Sequence, residues 1–388
     1  MITCFISSVF DKMAGIQLAG EVGVMKCAIV LLIFCMTAIV SGLQCIANDN
    51  RPVDWFIGYK LPGSSNVPAN SLMYLDARSQ RWQLVAQTLD QNNQAIYNTL
   101  NQIYTPSQSL QVFQDSVMYA MYNDEPPGGH ASTSHGHTKG VVGFDPSTGF
   151  WLVQSTPKFP PARSSGYDWP ESAHTYAQSF LCISLATSSN LNEIGKQFLY
   201  NWPLFYDKNL PSAFASKYPE LANALASKHV QTGPWNRQTT LHSLAGVTFT
   251  SFAKFNKWDQ DLYADWLAPT FHDSLLVETW QNGINPMCSN CSGTYRVMNI
   301  KGLQFSSPSI AFKETQDHAK WAITNTTGSA WVCVGDINRQ ESQMTRPGGT
   351  VCFQNQQVHA SYQGLITQLQ SCGDQDKCVP AHFGPIVG

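Results

Sequence analysis

Apolar and polar positions alternate in short blocks along the chain, and the period of each block predicts a strand or a helix. The strand pattern recurs in six segments, at 53–60, 71–74, 110–122, 247–255, 275–280 and 310–313. Helical spacing recurs at 173–186, 212–228, 259–267 and 362–369, and Asn190 is a predicted helix cap. Because both kinds of element occur in both halves, we expect an α/β fold in which mixed β-sheets are flanked by helices.

Two stretches of the chain share the same order of residue types. His137 and Lys139 open the first with the pattern His-x-Lys, and His318 and Lys320 open the second. Each continues as a short apolar segment, turns through polar residues and glycine, and returns as a second apolar segment, which predicts a β-hairpin. Side chains two positions apart in a strand lie on the same face. The histidine and lysine of each pair are therefore expected to point the same way.

If the two hairpins face each other, two imidazoles and two ammonium groups surround one point, where a phosphate can be bound and attacked. Phosphodiester cleavage needs a nucleophile, an acid for the leaving oxygen and positive charge for the phosphoryl oxygens. Histidines can supply the first two roles and lysines the third, with no metal. Because ordinary histidine titrates near ~6.5, we expect activity to peak at mildly acidic pH. The alternative is coincidence, against which the matching hairpins argue.

The composition permits a large core and gives little sign of a nucleic-acid binder at neutral pH. The chain has 388 residues, of which 43% are hydrophobic and 13% charged, enough for two ordinary domains or one large one. The formal net charge is −3, and strong phosphate binding at neutral pH requires an excess of lysine and arginine. Protonation of all ten histidines would move the charge from −3 to +7, so an acidic compartment changes this expectation.

The N-terminal segment predicts a secretory signal peptide that is cleaved after Gly42. It has a lysine at its start, a Val-Ser-Gly end, and a centre of about 14 apolar residues, short of the ~20 that span a bilayer. Residues 1–24 precede a second methionine, Met25, which is the natural start of such a signal. After cleavage we expect no membrane attachment.

Eight cysteines follow the predicted signal, and three others lie in or before it (Cys4, Cys27 and Cys35). An even number in a secreted chain favours disulfides, and the lone Cys-x-x-Cys pair of Cys288 and Cys291 is weak evidence for a zinc site. The sequons at Asn290 and Asn325 predict N-glycosylation.

Six segments resemble one known family in sequence and in order. They are PVDWFIGYKLP, GHTKGVVGFD, FWLVQSTPKFPP, YDWPESAHTYAQSFLCISL, DHAKWAI and VCVGDINRQESQMTRPGGTVC, which together run from residue 52 to 352. They are similar to the deoxyribonuclease II family, which includes the plancitoxin-type proteins and is related to the phospholipase D superfamily.

The resemblance implies two pseudo-twofold lobes, each giving one His-x-Lys element to a single site between them. It implies an acid, metal-independent endonuclease with no cofactor, which acts on DNA through a phosphohistidine, leaves 3′-phosphate ends, and is secreted or lysosomal. No protein partner is implied, and a homodimer is left open. The polar segment 230–240 is the predicted boundary, so we expect an extension and signal at 1–42, an N-terminal lobe at 43–234 and a C-terminal lobe at 235–388.

Carried over residue by residue, the resemblance makes His137, Lys139, His318 and Lys320 the catalytic residues. Asn338 closes a Gly-Asp-Ile-Asn segment that resembles the phosphate-binding Gly-Ser-x-Asn element of the superfamily, with Asp in place of Ser. The superfamily has Asp where Asn325 and Phe144 stand here, a departure that the family shares. The implied disulfides are Cys45–Cys182, Cys333–Cys352, and one from Cys288 or Cys291 to Cys372 or Cys378.

Two rival functions stay open at this point. One is a non-catalytic secreted relative that binds DNA or a host protein, which loss of a motif residue would favour. The other is a phospholipase D-type hydrolase of lipids, which an apolar mouth to the cleft would favour.

Overall fold

The described part of the computed structural model is built around two β-sheets and covers residues 42–63 and 67–373. The described residues 42–63 and 67–373 form one compact unit. The predicted signal peptide, Met25 and the cysteines Cys4, Cys27, Cys35 and Cys378 lie outside the described residues.

The first sheet has eight strands in the order β3-β2-β1-β7-β6-β5-β4-β8, and every neighbouring pair is antiparallel. Its central strands are buried along all or nearly all of their length. Its strands are β1 (Trp55–Lys60), β2 (Leu72–Asp76), β3 (Gln83–Leu84), β4 (Met118–Asn123), β5 (Lys139–Phe144), β6 (Thr148–Gln154), β7 (Gln178–Ala186) and β8 (Phe205–Asn209).

The second sheet has nine strands in the order β13-β12-β11-β14-β15-β16-β10-β9, with β17 also paired to β12. It is mixed, because β11 and β12 run parallel. Its strands are β9 (Asn236–His242), β10 (Thr248–Lys254), β11 (Leu275–Glu278), β12 (Val297–Ser306), β13 (Ser309–Lys313), β14 (Trp321–Thr324), β15 (Trp331–Gly335), β16 (Gly348–Gln354) and β17 (Ile366–Leu369).

Helices pack on both sheets, so the expected α/β class is confirmed. The α-helices are α1 (Ala95–Tyr104), α2 (Leu110–Ser116), α3 (Thr187–Asn201), α4 (Ser212–Lys217), α5 (Pro219–Leu225), α6 (Ala268–Phe271), α7 (Glu341–Met344) and α8 (Gln356–Gln363), and a π-helix lies at Leu262–Leu267. None of the helices between residues 42 and 373 that the structure describes has the length and apolar character needed to cross a bilayer.

The main core lies between the two sheets. One apolar cluster joins side chains from β1, β6 and β7 to side chains from β14, β15 and β16. The rings of Trp55 and Phe353, one from each sheet, have centroids 5.2 Å apart. Two further clusters cover the outer faces, one under α1 and one under the π-helix. Burying apolar side chains on both faces of each sheet removes the largest amount of apolar surface from water.

Several predicted elements are wrong. The helix predicted at 173–186 is absent, and Gln178–Ala186 of that segment form the strand β7. Its apolar run is buried on both faces, so it lacks the alternation that distinguishes a strand from a buried helix. The segment 110–122 begins as helix α2, capped by the Ser109 hydroxyl, before β4 starts. The segment 362–369 contains the end of α8 and then β17.

Other predictions need smaller corrections. Helix 212–228 is two short helices, because Pro219 starts α5 and a proline disfavours helical geometry in the residue before it. Asn190 lies inside α3 instead of capping it. Strand β9 starts inside the predicted boundary segment 230–240. The strands predicted at 53–60, 71–74, 247–255, 275–280 and 310–313 are confirmed within two residues.

The disulfides implied by the resemblance are present. Cys45 is bonded to Cys182 in β7, and Cys333 to Cys352 across the β15–β16 pair. Cys291 is bonded to Cys372, and Cys288 is also disulfide-bonded.

Candidate active site

The two His-x-Lys pairs stand at equivalent places in the two sheets. In the first pair, His137 lies just before β5 and Lys139 is the first residue of β5, which forms a hairpin with β6. The second directly precedes β14, which forms a hairpin with β15. Both predicted hairpins are confirmed. Asn325 is exposed at the turn of the second hairpin, where a sequon is accessible.

The structure brings the four motif side chains together. The pKa of His137 responds to the charges of Lys139 and Lys320, and the pKa of His318 responds to both lysines and to His137. Because the interaction between two charges weakens as their separation grows, these groups lie near one another. The expectation of one shared site therefore agrees with this geometry.

Each motif backbone is held by the other half of the protein. The His137 amide donates to the carbonyl of Pro347 at 2.9 Å, and the His318 amide donates to the carbonyl of Ala177 at 2.9 Å. Pro347 is the residue before β16, and Ala177 is the residue before β7. The two contacts are thus reciprocal, and both histidines depend on contacts between the halves.

The imidazole rings are also oriented reciprocally. His137 Nδ1 donates to the backbone carbonyl of Asp336, the first residue after β15. A backbone hydrogen bond with Ser155, the first residue after β6, raises the pKa of His318. A carbonyl only accepts, so Nδ1 of His137 carries a proton and the lone pair of its neutral ring lies on Nε2.

A carboxylate that sequence reasoning missed balances part of the positive charge. Lys139 Nζ donates to Asp124 Oδ1, and Arg346 donates to Asp124 Oδ2 at 2.8 Å. His137 Nε2 lies 3.9 Å from Asp124 Oδ2. Asp124 is the residue after β4, the strand paired with β5. Its position after a buried strand was the available signal, but the sequence did not show which strand pairs with β5.

Lys320 is held close to its own motif. Its ammonium group donates to the carbonyl of His318 at 2.5 Å and lies 3.2 Å from His318 Nδ1. Burial and the charge of Lys139 lower the pKa of Lys320. Two ammonium groups in one buried site repel each other, and an anion placed between them removes that repulsion.

Burial lowers the pKa of both motif histidines well below the ordinary value. The positive charges of Lys139, Arg346 and Lys320 lower the pKa of His137 further, and those of Lys320 and Lys139 do so for His318. Both rings are therefore neutral at neutral pH. Acidic solution, or an anion bound between the rings, favours protonation of one of them.

Asn338 lies near this group along the chain but is not joined to it. It is 6% exposed, and its amide oxygen has no hydrogen-bond partner among the described residues. No hydrogen bond in the described ranges connects it to the four motif side chains. Asn290, by contrast, lies in the cysteine loop, where its side-chain oxygen accepts from Ser292. Among residues 42–63 and 67–373, no group of three or more His, Cys, Asp or Glu side chains is arranged to hold a metal ion.

Comparison with known proteins identifies the family. The family model for Deoxyribonuclease II matches residues 44–372. Plancitoxin-1 of Acanthaster planci is 40% identical over 353 residues, which cover 89% of this chain and 97% of that protein. Deoxyribonuclease-2-alpha of Mus musculus is 40% identical over 341 residues, covering 86% and 94%. Deoxyribonuclease-2-beta of Homo sapiens is 34% identical over 339 residues, covering 85% and 92%. With both sheets and both motif hairpins inside the matched range, the chain belongs to the deoxyribonuclease II family.

Proposed function

We propose that the protein is an acid endodeoxyribonuclease that hydrolyses DNA phosphodiester bonds without a metal ion. The observation that carries this proposal is the reciprocal orientation of His137 and His318 between two lysines. The names of the mammalian relatives support DNA as the substrate.

In the proposed mechanism, one histidine attacks phosphorus while the other acts as a general acid. The first step forms a nitrogen–phosphorus bond, breaks the bond from phosphorus to the 5′ oxygen, and transfers a proton to that oxygen. In the second step the same general acid, now neutral, takes a proton from water, whose oxygen attacks phosphorus and releases the first histidine. The products are a 5′-hydroxyl and a 3′-phosphate. Lys139, Lys320 and Asn338 stabilise the phosphoryl oxygens.

We also propose that residues 43–234 and 235–388 are two pseudo-twofold lobes of the phospholipase D type. The strand orders support it: β2-β1-β7-β6-β5-β4 in one sheet corresponds to β9-β10-β16-β15-β14-β11 in the other. The matching hydrogen bonds from each motif to the opposite half support it too.

The lowered histidine pKa values predict an acidic optimum. One ring must be protonated as the acid while the other is neutral as the nucleophile. Because the pKa of each ring is lowered, the protonated fraction falls as pH rises toward the ordinary value of ~6.5. A profile of kcat/KM against pH should therefore peak below that value and decline toward neutrality. A rate that rises steadily past neutrality would contradict the mechanism.

The direct test is plasmid digestion at about pH 5 in a chelator, with the wild type compared to His137→Ala and His318→Ala. Each variant should lose about a thousandfold in rate. The matched control is His130→Ala, an exposed histidine of the loop before the first motif, which should cleave like the wild type. Undiminished cleavage by either motif variant refutes the proposed chemistry.

The same protein preparation can be used to distinguish the proposed nuclease from the two rival functions. DNA binding without cleavage favours the non-catalytic relative, and release of the headgroup from phosphatidylcholine vesicles favours the lipid hydrolase.

We propose that the protein is secreted or delivered to the lysosome, because it has a predicted signal peptide and disulfides. Mass spectrometry of the secreted protein tests glycosylation at Asn290 and Asn325.

A further inference from the structure

The two histidines have chemically different surroundings. His137 lies beside the charged Asp124 and Arg346. His318 instead lies beside two aromatic rings: the centroid of Trp280 is 5.1 Å from that of His318, and the centroid of Tyr176 is 6.4 Å away. One side of the site is therefore ionic and the other aromatic.

The strand registers show that this difference occurs at equivalent positions. Asp124 follows the residue opposite the lysine of the first motif in the β4–β5 pair. In the β11–β14 pair, Glu278 lies opposite Trp321. Extending this register by one position places Thr279 opposite Lys320 of the second motif, and Trp280 follows Thr279. The same place thus carries a carboxylate in one half and an indole in the other. Charge balance accounts for the carboxylate, but it does not account for the indole.

The aromatic pair is fixed in place from both halves. Tyr176 and Trp280 pack edge to face with centroids 4.8 Å apart. The carbonyl of Tyr176 accepts from the buried Lys60 ammonium at 2.9 Å, and the carbonyl of Trp280 accepts from the Gln340 side chain at 3.3 Å. The backbone of each residue is therefore held before a ligand arrives, and the two rings support each other, which reduces the entropy lost on binding.

The pair is also open to solvent beside the reacting group. Tyr176 is 36% exposed, and Trp280 and His318 are partly exposed. The fully buried rings of Trp151 and Trp321 offer no such accessible face. Exposed aromatic faces next to a phosphate site are suited to stack on nucleobases, and the stacking tolerates any sequence because every base has a π-face.

We propose that Tyr176 and Trp280 form a nucleobase subsite, in which the base next to the scissile phosphate leaves its stack and lies against this pair. The inference rests on the proposed nuclease function and adds to it the way in which the substrate is held. The nucleotide on the other side of the phosphate then faces the ionic group around Asp124. The enzyme should cleave fastest where a base can leave the duplex.

The test uses end-labelled single-stranded oligonucleotides with and without one abasic nucleotide, and compares cleavage at the linkages that flank it. In the wild type, one flanking linkage should be cut about tenfold more slowly when the base is missing. Trp280→Ala should cut intact DNA about tenfold more slowly, mainly because KM rises. In this variant the missing base should no longer change the rate. Trp280→Phe should restore both, because it keeps a π-face.

Two controls make the result specific. Tyr295→Ala removes a partly exposed ring that packs against His272 on the outer face of the second sheet, and it should behave like the wild type. Thermal unfolding verifies that each variant is folded, and Tyr176→Ala serves as the second test variant. If Trp280→Ala and Tyr176→Ala both keep the wild-type ratio between intact and abasic DNA, the subsite is overturned. Failure of the nuclease proposal is distinguishable, because the wild type would then not cut either substrate.

Discussion

At the residue scale, Asp124 compensates the positive charge on one side of the site. It accepts from Lys139 and Arg346 and lies near His137. Without its negative charge, the two cations would act on the imidazole unopposed. A buried carboxylate between cations therefore influences both the geometry and the protonation of the histidine.

We predict that Asp124→Asn lowers kcat/KM by about tenfold or more and moves the pH optimum about one unit lower. The direction follows because uncompensated cations lower the pKa of His137 further, so that more acid is needed to protonate it. Steady-state rates across the acidic range measure both effects. The control is Asp115→Asn, an exposed carboxylate of α2; an unshifted optimum in Asp124→Asn would contradict this role.

At the element scale, two buried lysines support the loops that hold the motifs. Lys60 ends β1 and donates to the carbonyls of His174 and Tyr176. Lys254 ends β10, the equivalent strand of the second sheet, and donates to the carbonyls of Gln343, Met344 and Arg346. Both lysines are 0% exposed. Ala177, which follows Tyr176, accepts the backbone hydrogen bond of His318. Pro347, which follows Arg346, accepts that of His137.

We predict that Lys60→Met and Lys254→Met each reduce kcat by about a hundredfold, because the motif loops lose their anchors. Burial lowers the pKa of each lysine to about 7, so both anchors are fully protonated in acid and weaken as pH rises through 7. The activity of the variants should accordingly differ most from the wild type at acidic pH.

The control for this pair is Lys208→Met, at an exposed lysine. Its ammonium group also donates to a carbonyl, that of Leu225 at the end of α5, and is not part of the motif loops. It should retain wild-type activity. An arginine at position 60 or 254 should restore part of the rate, and equal losses in Lys208→Met would show that the effect is only structural.

Elements differ in how far local sequence determines them. The sequence predicts the two hairpins because the turn residues and the alternation of each lie within one short stretch. The sequence predicts a helix where strand β7 forms, because β7 is buried along nearly its whole length and its apolar run has no period of two. Helix α2 buries only Phe113, and such a weak apolar face gives little helical signal.

At the scale of the whole molecule, the response to acid is shared between histidines and carboxylates. Burial raises the pKa of Asp317 and of Asp336 to about 6. Burial lowers the pKa of His135, His137 and His318. Acidification therefore neutralises two buried carboxylates, while these three histidines resist protonation. The net charge of +7 that protonation of all ten histidines alone would give does not describe the folded protein.

We predict that the raised pKa of Asp317 makes the stability of the fold depend on pH. Asp317 binds a proton more tightly in the folded protein, with a pKa of about 6, than in the unfolded chain, with 3.8. The resulting stabilisation is fully present below pH 3.8 and is lost as pH rises through 6. Relative to Asp317→Asn, the wild type should lose about 3 kcal/mol of unfolding free energy over that range. Urea unfolding at several pH values measures it, with Asp115→Asn as the control; a constant difference would contradict the prediction.

Local sequence was enough to predict the α/β class and the two hairpins and to single out the four motif residues, because turn chemistry and alternation act between near neighbours in the chain. Only the tertiary structure decided what surrounds those residues. The contact of His137 with Asp336 joins positions 199 residues apart, and that of Arg346 with Asp124 joins positions 222 apart. Such pairs form because the two sheets bury their apolar faces against each other, and no local pattern records which polar side chains that packing brings together.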